Sequence, residues 1–358
     1  EKLQQRNYGI DLLRMVSMFM IIIRHLLGDG GILDATDTLS SQYAVGWLLE
    51  LSCYCAVNCY ALISGYVMVY GKHRYSNLAL IWLEAFFYMS IGTAVMFITQ
   101  KHIGAFDLLA VILPISSQRY WYLTSYFCMF LFIPIMNSAV MSLPREQLRR
   151  ILMSMFFLLS VLLSVLPGQL HSDLFIIRDG YSPWWLAVLY LTGAYIRRYD
   201  IRIENKRVRK CVCVYVLAVC TAWISRLFLE KYRGTIITEF FSPMQLVTYN
   251  APTTVLAGLS LFMLFKDLRV DNLQSVIRFL SPLTLGVYLI HMQPWVLSLY
   301  TKKLEFMVSW NPIKLAGVVV VSALCIYICC SGIDYLRSRL FHMAKLKERL
   351  VRLENRIW

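Results

Sequence analysis

Apolar runs of about twenty residues recur along this chain, each long enough to cross a hydrocarbon core of roughly 30 Å. Such runs specify a polytopic helical membrane protein. The composition agrees, with 58% of the 358 residues hydrophobic and 16% charged. Spans are expected near 8–27, 44–69, 78–99, 121–140, 148–166, 183–199, 210–229, 244–265, 279–299 and 312–333. A shorter piece, 105–117, is stopped by Pro114 and reads as a re-entrant or interfacial helix. The expected fold class is an all-α polytopic membrane protein of about ten transmembrane helices plus that short one. The ten cysteines lie within apolar runs without metal-ligand spacing, so they read as small hydrophobes and no metal is expected.

Basic loops face the cytoplasm. Ten spans with both termini cytoplasmic place 24 of the 35 Lys and Arg in inner segments and 7 in outer ones. Counting 105–117 as a full span puts "MSLPREQLRR" outside and spoils that asymmetry. The formal net charge of +14 then reflects this bias and attraction to anionic membrane lipids, with no sign of nucleic-acid binding. A transmembrane domain over 1–340 is expected, followed by a basic amphipathic cytoplasmic tail, 341–358, lying on the inner membrane surface.

The first run, "DLLRMVSMFMIIIRHLL" (11–27), carries Asp11, Arg14, Arg24 and His25. Charge in a bilayer core costs roughly 2.5–3.5 kcal/mol on insertion scales. Arg14 and His25 are eleven residues apart, three helical turns plus about 20°, so they share a face roughly 16 Å apart along the axis. That face presents a fixed cation to the inner half of the membrane and a titratable imidazole to the outer half. Asp11, three residues before Arg14, can pair with it.

An Arg, ten residues and a His in the first span resemble the signature of the acyltransferase-3 family of integral membrane acyltransferases. Here these are Arg14 and His25, preceded by a D-x-x-R that also resembles the family. "YALISGY" (60–66) is similar to the family's S-G-Y/F segment, "WYL" (121–123) follows, and "GVYLIH" (286–291) resembles its late Y-L-I-H. The resemblance covers essentially the whole chain. The sequence departs from the family in its first inner loop, "GKHRYS", where Lys72 and Arg74 replace a pair of arginines. It departs again at Tyr120, where many members have His.

The resemblance implies transfer of an acyl group, usually acetyl, from cytoplasmic acyl-CoA to an extracytoplasmic hydroxyl, usually on a cell-envelope glycan. It also implies a multi-pass protein of a bacterial cytoplasmic membrane, with room for a fused or partner soluble domain. The donor's phosphates suit Lys72, Arg74, Arg145, Arg149 and Arg150 on the inner side. Arg14 would hold the donor where its arm enters the bundle, and His25 would serve as general base or take the acyl group itself. Trp121, Tyr122, Tyr288, His291 and Glu84 are candidates for an outer or acceptor site. The chain is also similar to the membrane domain of vancomycin-resistance serine racemases, which implies a role in L-serine uptake instead.

Overall fold

The structure, a computed structural model, describes residues 6–100, 103–166, 173, 175–204 and 206–357. Parts of the stretches before the expected span 8–27, between 78–99 and 121–140, and between 148–166 and 183–199 lie outside them, as does the last residue of the expected tail 341–358. Every regular element among the described residues is helical. Among the described residues, seven stretches are long and apolar enough to cross a membrane: Ser41–Met68, Tyr75–Thr99, Trp121–Ser142, Arg145–Val165, Arg207–Lys231, Asp271–His291 and Pro312–Met343. This is a multi-pass membrane protein.

Helix α1 (Tyr8–Leu27) is the central strut. Asn7 caps it, accepting from the Ile10 N–H, and donates its own amide to the Lys266 carbonyl, which ties the cap to the bundle. Most of its residues are buried, from Ile10 and Leu13 through Ile22 to Leu27. Packed around it are α2 (Ser41–Cys53), α3 (Ala56–Met68) and four later helices, Pro252–Lys266, Gln274–Leu280, Thr284–His291 and Pro312–Met343. The expected span 44–69 is thus two collinear helices parted at Tyr54–Cys55, where the Tyr54 N–H bonds Leu51.

Next come α4 (Tyr75–Gln100), the short α5 (Ala105–Ile112), α6 (Trp121–Ser142) and α7 (Arg145–Phe156), which continues through a wider turn to Val165. Helix α8 (Pro183–Arg198) is capped by Ser182 and crosses α3 closely. Two glycines permit that approach: a Cβ at Gly65 would lie 1.8 Å from the Tyr190 carbonyl oxygen, and one at Gly193 2.0 Å from that of Leu62. Small residues at a crossing let two membrane helices pack backbone to backbone.

Helices α9 (Arg207–Lys231) and α10 (Pro252–Lys266) pack together. Helix α10 starts eight residues later than the span expected at 244–265, because Pro252, with no N–H to give, occupies its first turn. The span expected at 279–299 is likewise interrupted. Its helices are α11 (Gln274–Leu280), α12 (Thr284–His291) and α13 (Pro294–Tyr300), and the break at Met292–Gln293 precedes a proline. The Gln293 side chain caps α13 by accepting from the N–H groups of Trp295 and Val296. Helix α14 (Pro312–Met343) runs ten residues past its expected end at 333.

The tail forms α15 (Leu346–Ile357), which lies against α4. Glu354 accepts from the N–H of Tyr75, and from the N–H and hydroxyl of Ser76, at the first turn of α4. The hydroxyl of Ser76 holds the Glu354 carboxyl below its ordinary range.

Candidate active site

A cavity of about 410 Å³ opens along one side of α1. Its walls come from α1, α3, α4, α6 and α12, with Tyr249 from the loop before α10. Arg14 and His25 both line it, so the spacing of the first helix places both in one space. The lining between them is apolar and aromatic, including Met18, Ile21, Tyr60, Tyr122 and Tyr126.

At one end, Arg14 donates to Asp11 at 2.9 Å and to the Ser281 hydroxyl at 3.3 Å. Asp11 also pairs with Arg6. A single carboxylate between two guanidiniums leaves this end of the cavity net positive. Tyr60, whose hydroxyl donates to the Arg14 carbonyl, pins α3 to α1 at the same level.

At the other end, His25 Nδ1 lies 3.1 Å from His291 Nε2, and His291 Nδ1 lies 2.7 Å from the Val287 carbonyl oxygen. A carbonyl only accepts, so His291 Nδ1 carries a proton. With both rings neutral, His291 Nε2 is then an acceptor and His25 Nδ1–H donates to it. His25 Nε2 is left as the basic nitrogen of a ring that lines the cavity. His291 is 1% exposed and stands behind His25, outside the lining.

Residues 7–331 match the family model of acyltransferase 3, described as an acyltransferase domain. The chain belongs to the acyltransferase-3 family. The corresponding comparisons matched no curated protein and no solved structure.

In this acyltransferase, Trp121, Tyr122 and Tyr288 line the cavity as well. Trp121 stacks on Tyr249 with ring centroids 5.7 Å apart, and Tyr181 packs on both rings. Lys72 is exposed and Arg74 half-buried, and neither lines the cavity. They stand on the loop between Met68 and Asn77, which do. Arg149 and Arg150 are exposed on α7, Arg149 pairing with Glu146 on its own helix, and neither reaches the cavity.

Glu84, a candidate for the outer site, does not line the cavity. It lies on α4 ten residues from the Lys72–Arg74 end, and it pairs with Arg337 at 2.9 Å. Arg337 also holds Asp334 through two bonds of 2.9 and 3.0 Å, and Tyr88 donates to Asp334. This buried ion cluster joins α4 to α14 away from the cavity lining. A carboxylate in lipid needs such a cation, and the only sequence clue was a lone Glu in an apolar run.

Reading along the sequence missed Arg24 and its setting as part of the site. Arg24 lines the cavity beside His25, bonds Glu50 of α2 through Nε at 2.8 Å, and reaches the Tyr249 hydroxyl at 2.5 Å. The Tyr54 ring lies under its guanidinium, 3.8 Å from the centroid. The charge itself was visible, but its partners lie 26 and 225 residues away.

Proposed function

We propose that this membrane acyltransferase moves an acyl group, in the simplest case acetyl, from cytoplasmic acyl-CoA to a hydroxyl of an extracytoplasmic acceptor such as a cell-surface glycan. One observation carries the reading: a cation and a basic imidazole nitrogen share one cavity, about three helical turns apart. Arg14 takes the anionic donor at the inner end, with Lys72 and Arg74 at the approach. The thioester reaches His25 along the apolar lining.

The acceptor oxygen attacks the thioester carbonyl carbon as its proton passes to His25 Nε2. The C–S bond then breaks, and the same proton goes to the departing sulfur. The products are an ester and free CoA. His291 holds the His25 tautomer that makes this transfer feasible. General-base help of this kind is worth about 10²–10⁴-fold.

The proposed topology has ten crossings with both ends cytoplasmic. Seven helical stretches meet the length and apolarity needed. The other three are α1, which carries Asp11, Arg14 and Arg24, and the shorter α8 and α10. The split of basic residues between loops supports this count. Cysteines introduced at Asp37 and Arg202 in a cysteine-depleted protein should label from outside and inside respectively, and labelling of position 37 only from the cytoplasm overturns the topology.

The activity test is purified protein with acetyl-CoA and a hydroxyl acceptor, read as acyl exchange, transfer or thioester hydrolysis. Arg14→Ala should weaken CoA binding while His25→Ala leaves binding intact and abolishes transfer. Serine uptake by proteoliposomes with no thioester chemistry overturns the reading.

A further inference from the structure

We propose that Arg24 is a further catalytic residue, whose guanidinium stabilises the oxyanion formed when the acceptor attacks the donor carbonyl. The proposal deepens the acyl-transfer reading above and rests on it. A buried Arg has an ordinary explanation as half of an ion pair, and the geometry here departs from that in three ways.

First, the pair is incomplete on both sides. A guanidinium has five N–H donors and commonly meets a carboxylate through two parallel bonds. Among the described residues Arg24 gives Glu50 only its Nε–H, gives Tyr249 one terminal N–H and has the Tyr181 hydroxyl as a further partner, which still leaves part of its five donors over. Glu50 Oε2 is buried with no hydrogen-bond partner among the described residues. Contrast Arg337, which grips both oxygens of Asp334 and also Glu84. The Arg24 arrangement holds the head in place and leaves N–H groups over.

Second, the head is aimed by its surroundings. Glu50 comes from α2, the Tyr54 ring lies beneath the guanidinium with its centroid 3.8 Å from the central carbon, and Tyr249 accepts one N–H while stacking on Trp121. The Arg24 side chain is 10% exposed and lines the cavity. A cation so fixed needs no reorganisation when charge appears in front of it, which is the condition under which electrostatic stabilisation is largest.

Third, Arg24 immediately precedes His25 on α1. The two side chains leave the helix 1.5 Å apart in height and about 100° apart in direction, and both face the same space. Base and cation therefore flank one region, where the hydroxyl loses its proton and the carbonyl oxygen gains charge. During attack the carbonyl π electrons move onto oxygen and are met by the spare N–H groups of Arg24. When they return, the C–S bond breaks and sulfur takes the proton from His25. Arg24 gives up no proton in the cycle.

The experiment uses the full chain, purified in detergent, with acetyl-CoA and a hydroxyl acceptor. Arg24→Gln should lower kcat by about 10²–10³-fold, the loss seen when one oxyanion donor is removed, with the KM for donor within about threefold. Arg24→Lys, which keeps the charge but not the fork, should fall between. Methylguanidinium added to Arg24→Ala should restore turnover saturably. If Arg24→Gln does not fold, Arg24→Lys decides by the same split of kcat from KM. A folded Arg24→Gln keeping more than a tenth of the wild-type kcat, or any folded variant losing only donor affinity, overturns the assignment. Wild-type protein without thioester chemistry overturns the acyl-transfer reading itself, a separate result.

Discussion

Replacing His291 by Leu tests the histidine pair most directly. Leu is close to His in size and apolar, so the packing behind α1 survives while the acceptor for His25 Nδ1–H disappears. The useful His25 tautomer then carries an unpaired N–H in a dry site, which costs about 1–3 kcal/mol. The ring avoids that cost by moving its proton to Nε2, the nitrogen that the proposed mechanism uses as the base. At 1.4 kcal/mol per decade, the productive form falls by roughly 5- to 150-fold, and kcat should fall with it. His25→Gln should lose more, about 10²–10⁴-fold. His291→Gln offers an amide oxygen to the same N–H and should recover most of the loss. Release of free CoA is best followed by chromatography, because the exposed thiols of Cys213, Cys325 and Cys329 would compete for a thiol dye. The double variant His25→Gln, His291→Leu should be no worse than His25→Gln alone. A further independent loss in the double variant, or full activity in folded His291→Leu, refutes the relay.

Arg337→Met leaves Asp334 and Glu84 buried without their cation and should cost about 3–5 kcal/mol of stability, seen as a large fall in thermal midpoint. Replacing all three together should recover most of it. Gly65→Ala drives a methyl into the Tyr190 backbone and should part α3 from α8, measured as loss of the monodisperse folded species. Glu354 is held below the ordinary carboxylate range by Ser76, so docking of α15 is favoured above that range and lost as pH falls through the lowered value. Hydrogen exchange should show α15 opening on acidification, and Glu354→Gln should show the same opening already at neutral pH.

The sequence made the first helix legible because its decisive spacing is local. Arg14 and His25 lie on one strut, and helix geometry alone puts them on one face. The bounds of α1 also match the expected span 8–27. His291 was nameable from "GVYLIH", and it meets His25 across 266 positions. What the sequence hid was Tyr249, which meets Arg24 across 225 positions with no periodicity to announce the contact. An in-span carboxylate such as Glu84 looks the same in sequence whether it faces a substrate or, as here, an arginine on another helix. Arg149 and Arg150 carried the right charge for phosphates but sit on a helix whose exposed surface lies away from the cavity. Helix breaks were partly readable: Pro294 marks the one after α12, while the step at Tyr54–Cys55 has no proline or glycine to signal it.

A single unbroken helix carries both Arg14 and His25. Peptide geometry therefore sets the interval between them, and no domain movement is needed to maintain it. A donor gripped by its charged head at Arg14 presents its reactive carbonyl to His25 only if its arm spans roughly 16 Å. Shorter arms stop below the imidazole, and longer ones must fold within walls of Met18, Ile21 and Tyr126. On the proposed acyl-transfer reading, the first helix would act as a ruler, sorting donors by length before any chemistry discriminates among the acyl groups they carry.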